Sequence, residues 1–407
     1  MSTEAVLLTF LLLYLAGFVF APFPHWPTYR VLWRAVLGGS LPLATRRRQA
    51  WFLLTVGFWA PFRTFLWYLD ELLYPDYRDR EVRPVFIIGQ PRCGTTLLHR
   101  TMAADSQNFF AIRCAEWRYP FIALQKLLRA IGLDGWLGRR SYWPATEDGR
   151  RAAKMHANLL SDWEEDGIFF EEIFLHHFFI FLRFPDPTLL PYLDGFPELP
   201  PRTRERILET HRRVIQKVQY LRGPEPRIYL SKEVTSHNKI PFLLHLYPQC
   251  RFIVITRKAD DFMSSLQALM QTSTLVKTGV DPLRVAGWRE AFVTRMRMNS
   301  RLLADLCCCI IPAQSQLRVS SVHFVNDIAG TIRSLYAQLR VELPEAAAVA
   351  LEQTHRAANH RDRGYSYENI QTEGFAEYDA FVDSIVTATA PVAARDADVG
   401  RRHDRRL

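Results

Sequence analysis

Cysteine is scarce in this chain and poorly placed for chemistry. Six occur among 407 residues, and Cys307, Cys308 and Cys309 are consecutive. That spacing suggests neither a disulfide framework nor a metal-ligand set, so no metal is expected and a reducing compartment is favoured. Internal repeats are absent, and no long low-complexity segment interrupts the middle of the chain. Nucleic-acid motifs are absent too, and the arginines are scattered rather than massed, so nucleic acid is not an expected partner. Acidic charge is in deficit: 42 Asp and Glu stand against 51 Lys and Arg, a formal net charge of +9. Such a balance suits an anionic cosubstrate or an anionic membrane surface. With 48% apolar residues, the chain can bury a substantial core.

One further absence falls inside the stretch that organises the chain. Val85-Phe86-Ile87-Ile88 runs into Gly89, a short loop follows, and a helical pattern begins near Thr95. A buried parallel strand feeding a phosphate-binding turn has this form. Gly89 and Gly94 let the backbone curl so that N–H groups converge, and the helix adds its positive end. The Gly89–Gly94 spacing is that of the nucleotide P-loop, but Thr95 stands where a kinase or NTPase needs Lys to reach the β- and γ-phosphates. No Mg²⁺-binding Asp after an apolar strand is evident either. The loop's own cation is Arg92, so the loop suits one 5′-phosphate-like group rather than a triphosphate.

Ahead of this strand lie two apolar stretches. Ala5 to Phe23 carries no charge, and as a helix it would span nearly 30 Å, enough for a single membrane crossing. Arg30, Arg34 and Arg46-Arg47-Arg48 follow, which by the positive-inside rule places the remainder in the cytoplasm; a Golgi-lumen orientation is the alternative. Gln49 to Tyr74 is bounded or interrupted by Pro61, Arg63, Asp70 and Glu71, and reads as one or two helices, lying in the interface or buried in a core. The expected organisation is an anchor over 1–24, interfacial helices and a linker over 25–80, a catalytic domain over 81–385, and a disordered basic tail over 386–407.

Within the catalytic domain, Phe109 to Ile112, Arg227 to Leu230 (ending at Ser231-Lys232-Glu233), Arg251 to Arg257 and Leu317 to Val319 read as further strands. Helices are expected over 95–104, 203–221, 241–246, 282–309 and 326–339, and Asp260 is a candidate N-cap. Phe169, Phe170, Phe174, Phe178, Phe179 and Phe181 line either a core or an apolar acceptor pocket. An Arg at a strand end (Arg257) and a Ser on the following helix (Ser265) can converge on one dianion, the first by its fork and the second by its hydroxyl.

Pro91-Arg92-Cys93-Gly94-Thr95-Thr96-Leu97-Leu98 resembles the 5′-phosphosulfate loop of sulfotransferases that use 3′-phosphoadenosine 5′-phosphosulfate (PAPS), with Cys93 in place of the usual Ser. The resemblance implies an α/β fold: a P-loop-like parallel sheet of about five strands, with helices on both faces. It also implies a cosubstrate site of Arg92, Cys93, Gly94, Thr95, Thr96 and Leu97 at the 5′ end, and of Arg257 and Ser265 at the 3′-phosphate. Arg361, Arg363 and Tyr365, in a segment similar to the family's C-terminal basic loop, would close over the nucleotide. Glu116 occupies the place of the family's carboxylate base, Lys232 that of a strand-end Lys facing the sulfuryl group, and His237 lies near a His that some members carry.

The function so implied is sulfuryl transfer from PAPS to a hydroxyl on a lipid, glycolipid, sterol or carbohydrate, with a membrane as partner. The competing readings are a P-loop kinase or NTPase and a membrane-attached scaffold that keeps the fold without turnover.

Overall fold

The computed structural model describes residues 3–19, 24–156, 158–359, 370 and 372–389. The chain forms two units. One comprises Met1–Val82, Ala111–Pro226 and Gln267–Phe292, and the other Arg83–Phe110, Arg227–Leu266 and Val293–Leu407. Residues read from the sequence as one domain therefore contribute to both.

The second unit is built on five parallel strands: β1 (Pro84–Gly89), β2 (Phe109–Phe110), β3 (Ile228–Glu233), β4 (Arg251–Thr256) and β5 (Gln316–Ser320), in the order β2-β3-β1-β4-β5. Every residue of β1 is buried, as an uninterrupted β-branched and aromatic run in the middle of a parallel sheet requires. Phe86 stacks on Phe252 of β4 with ring centroids 5.5 Å apart. The chain adds β3 on one side of β1 and β4 on the other, so β1 marks the switch point whose carboxyl-end crevice receives ligands in open α/β sheets.

β3 ends at Glu233, as expected, with Lys232 paired to Ile87 and Glu233 to Ile88. Several other boundaries differ from the sequence expectation. β2 is only two residues long. The helix after β4 runs Ala259–Thr278, which puts Asp260 inside its first turn rather than at its cap. The helix expected over 282–309 breaks into a 3₁₀ turn (Pro282–Arg284), a helix (Trp288–Asp305) and a π-turn (Leu306–Ile310). A last helix, Ala376–Thr389, extends past residue 386, where the tail was expected to begin; residues 390–407 lie outside the described residues.

The first unit is helical. Of the membrane crossing expected over residues 5–23, residues 20–23 lie outside the described residues. The helix there is Thr3–Val19, 17 residues or roughly 26 Å at 1.5 Å per residue, and no helix among the described residues is long and apolar enough to cross a membrane. Its Tyr14 hydroxyl instead donates to the Phe58 carbonyl at 3.1 Å, on a neighbouring helix. That neighbour, Leu43–Leu73, is a single 31-residue helix that runs through Pro61.

Phenylalanines 169, 170, 174, 178, 179 and 181 are all buried and form core. Two buried polar contacts tie this core together. His211 meets Asp166 at 3.1 Å, with its ring stacked on Trp117 and Phe170. Lys217 meets Asp70 at 3.1 Å, with its ammonium 3.6 Å from the centroid of Trp67.

Candidate functional site

The loop after β1 is held in a conformation most side chains avoid. Gly94 has φ 94° and precedes the Thr95–Ala103 helix with no side chain capping it. Arg92 also has positive φ, 71°, which costs a non-glycine residue on the order of 1–3 kcal/mol. At Gly89 a Cβ would lie 2.2 Å from the Ile255 carbonyl oxygen, so only glycine admits this approach of β1 to β4. The result is a tight turn that leads directly into a helix N-terminus, an arrangement that favours an anion.

Five of the residues singled out from the sequence meet around this turn. The Arg92 Nε donates to Ser265 Oγ at 3.0 Å. Arg257, immediately after β4, approaches the Arg92 carbonyl at 3.5 Å, and its Nε lies 3.6 Å from the Asp261 carboxylate. Lys232 Nζ donates to Thr96 Oγ1 at 3.2 Å from the adjacent strand β3. Cationic groups from three neighbouring strand ends or loops thus surround one loop and the first turn of its helix.

Cys93 plays a different part. It is fully buried, its N–H donates to the Gln90 carbonyl at 3.3 Å, and burial pushes its thiol up to about 12. The side chain packs inward and offers no thiolate to a ligand.

His237 is fully buried and braces the loop. Its Nε2 lies 3.1 Å from the Gly89 carbonyl and its Nδ1 3.3 Å from that of Asn299, while Asn299 Nδ2 donates to Gln90 Oε1 at 3.4 Å. Burial lowers its pKa to about 4, so the ring is neutral at pH 7 and can donate to only one of those carbonyls. Glu116 lies in the other unit, in the short Cys114–Arg118 helix. Its Oε2 accepts from the Arg113 N–H at 2.9 Å and from the Arg222 guanidinium at 2.7 Å. Arg361, Arg363 and Tyr365 lie outside the described residues.

Some of the site's support was not anticipated. The Ala376–Thr389 helix holds the turn after β4: the Tyr378 hydroxyl donates to the Arg257 carbonyl at 3.0 Å, and the Asp379 carboxylate accepts from the Ala259 N–H at 3.0 Å. In sequence these are an aromatic and an acid in an amphipathic run, with nothing to mark them as neighbours of Arg257.

The donor set suits anionic groups. The loop N–H groups, Arg92 and Lys232 can serve one, and Arg257 and Ser265 another. Gln90 Nε2, Ser236 Oγ and Thr256 Oγ1 are buried near the carboxyl ends of β1, β3 and β4 without a hydrogen-bond partner among the described residues. No cluster of metal-ligating side chains occurs among the described residues.

Comparison with known proteins places this site in context. Two crystal structures share the fold. The sulfotransferase STF1 of Mycobacterium tuberculosis H37Rv is 16% identical, with 95% of this chain and 97% of that one covered at a TM-score of 0.60. The sulfotransferase STF9 of Mycobacterium avium is 17% identical, with 88% and 90% covered at a TM-score of 0.61. No curated protein matches the chain. The sulfotransferase family model matches residues 84–345, from the first residue of β1 to beyond β5. The chain belongs to the sulfotransferase family.

Proposed function

We propose that the chain transfers a sulfuryl group from PAPS to an acceptor hydroxyl. The observation that carries this reading is the convergence of Arg92, Thr96, Lys232, Arg257 and Ser265 on one glycine-bounded loop at the sheet's switch point. The N–H groups around Gly94 to Leu97, with Arg92, would hold the 5′ end of the nucleotide. Arg257 and Ser265 would hold the 3′-phosphate, joined by Arg361 or Arg363 with Tyr365 seating that segment. PAPS, when bound, supplies a sulfuryl group activated by its link to phosphate. The Lys232 ammonium and the loop N–H groups offset negative charge at the 5′ end. The absence of a Lys after Gly94 argues against a triphosphate.

Glu116 is the favoured base over His237. A carboxylate has about four lone-pair sites, and those engaged by Arg113 and Arg222 leave others. A neutral imidazole has one, and both ring nitrogens of His237 already face main-chain carbonyls.

A lipid-borne or amphiphilic acceptor, with the enzyme resting on a membrane face, is supported by apolar side chains left exposed on two helices: Leu7, Leu8 and Leu11 on one, Trp51, Phe58 and Trp59 on the other. A carbohydrate hydroxyl is the alternative.

The test is a thermal-shift series with adenosine 3′,5′-bisphosphate, ATP and GTP, followed by turnover with PAPS. Stabilisation by the bisphosphate alone is expected; stabilisation by triphosphates would overturn the reading in favour of a kinase. Binding without turnover against a panel of amphiphilic and sugar alcohols would indicate a scaffold. The variant Glu116→Gln should lose turnover and keep the bisphosphate shift, and retained turnover would move the base role to His237.

A further inference from the structure

The helical unit contains a small cavity of about 40 Å³ lined by Phe52, Val56, Phe174 and Phe179 on the apolar side, and by Arg118, Tyr142, Glu171, Glu172 and Arg183 on the polar side. By the volume a single water needs, it has room for a group the size of a carboxylate or sulfate. In its lining two arginines face two glutamates, but Arg63 behind Glu172 and Lys277 behind Tyr142 add two further cations. Glu172 is paired twice, with Arg63 at 2.9 Å and Arg118 at 2.8 Å. Glu171, also in the lining, is buried within the field of Lys277, Arg118 and Arg183.

The Lys277 ammonium donates to the Tyr142 hydroxyl at 2.6 Å and lies 4.5 Å from that ring's centroid. The Arg183 guanidinium lies over Phe52, 4.3 Å from the centroid, and makes no hydrogen bond or ion pair among the described residues. Four cations therefore surround two carboxylates. The local potential is positive, and one guanidinium, which can donate through five N–H groups, is presented to the cavity without a partner to accept from it.

We infer that this cavity is a binding site for a single oxyanion carried on an apolar stem, such as a fatty acid or an alkyl sulfate. The anion would be taken by Arg183 and by Lys277 through Tyr142, and the first carbons of the stem by Phe52, Val56, Phe174 and Phe179. The titration behaviour of the wall agrees with this polarity. Burial raises the Glu171 carboxyl, bringing it nearer to its neutral form and weakening its competition for the cations. Burial works to raise the Tyr142 hydroxyl as well, but Lys277, Arg118 and Arg183 outweigh it and leave it below the usual phenol range, as expected where positive potential is in excess. The site does not depend on the nucleotide loop, because every residue named belongs to the helical unit.

The experiment is calorimetric titration of the full chain with octanoate, octyl sulfate and octanol, below their aggregation thresholds. Saturable one-to-one binding of at least one anion, at least tenfold tighter than octanol, is expected. Preference for octanoate would assign a carboxylate, and equal binding of both anions would assign any compact oxyanion. Arg183→Met keeps the stem volume over Phe52 and should weaken the anions at least tenfold while leaving octanol unchanged. Lys277→Met should act in the same direction and serves as the second variant if the first fails to fold, as judged by its melting temperature. Octanol binding as tightly as the anions, an absence of saturable anion binding, or unchanged anion affinity in the folded variants would overturn the assignment. The bisphosphate thermal shift of the same variants reports separately on the nucleotide loop, so failure of one site is distinguishable from failure of the other.

Discussion

Arg92 and Ser265 are 173 positions apart in the chain, yet the Nε of one donates to the hydroxyl of the other at 3.0 Å. The bond joins the phosphate-type loop to the second turn of the helix after β4. It brings together the residues assigned to the 5′ and 3′ ends of one nucleotide.

If these residues share a nucleotide, removing them should weaken it unequally. Ser265→Ala deletes one hydroxyl donor, and the affinity for adenosine 3′,5′-bisphosphate should fall about tenfold, the ~1.4 kcal/mol of a single hydrogen bond to a charged group. Arg257→Met deletes a guanidinium and should cost about 100-fold or more, ~3 kcal/mol. Affinity for adenosine 5′-phosphate, which lacks the 3′ anion, should hardly change in either variant. Equal losses for both ligands would show that the pair supports the loop and not the 3′-phosphate.

Thiol labelling gives an independent reading of the loop. Cys93, Cys250 and Cys307 are buried, and burial pushes each thiol up to about 12, whereas Cys308 and Cys309 are exposed. Brief alkylation at pH 7.5 should modify Cys308 and Cys309 and spare Cys93, as read by peptide mass spectrometry. Modification of Cys93 in the folded protein at a comparable rate would mean that its side chain faces a ligand-accessible space.

The parts of this design that were legible in the sequence are those encoded locally. A run such as Val85 to Ile88 has to be a central strand, and a glycine-bounded turn before a helix has to present N–H groups. Two kinds of feature were not legible. One is a break inside a helical run: the stretch over 282–309 reads as one helix, but it divides into a 3₁₀ turn, a helix and a π-turn. The other is partnership at long range. Nothing in the sequence joins Glu116 to Arg222, Asp379 to the Ala259 N–H, or Arg183 to Phe52, since each pairing is made by tertiary packing.

Acid should destabilise the fold through two buried histidines. Burial lowers His99 to about 3 and His237 to about 4, against an unfolded value near ~6.5. Each folded-state pKa is depressed, so the unfolded chain binds more protons once the pH drops below ~6.5. The stability each contributes is complete above that value and is lost as the pH falls toward 4 and 3. For His99 the loss between pH 7 and 4.5 is on the order of 2–3 kcal/mol. Denaturant midpoints at the two pH values should therefore differ more for the wild type than for His99→Gln, whose amide can still donate to the Leu230 carbonyl that His99 meets at 3.1 Å. An identical pH dependence in the variant would show that this histidine is not the titrating group.

The Asp70–Lys217 pair should prove asymmetric. Asp70 is fully buried and holds three donors: Lys217 Nζ at 3.1 Å and the N–H groups of Ile122 and Ala123 at 2.7 and 2.8 Å, at the start of the Ile122–Ala130 helix. Lys217 is 1% exposed at its side chain, and burial lowers it to about 8 despite the opposing pull of Asp70 and Glu71. The cost of desolvating the ammonium therefore exceeds what the carboxylates return. Lys217→Met removes that cost, keeps apolar contact with Trp67, and leaves Asp70 with two backbone donors, so its penalty should stay near ~1–2 kcal/mol. Asp70→Ala strands a buried ammonium and two N–H groups at once and should cost about 3–5 kcal/mol. Chemical denaturation at pH 7 orders the two variants, and a larger loss in Lys217→Met than in Asp70→Ala would show that the ammonium, not the carboxylate, holds this junction together.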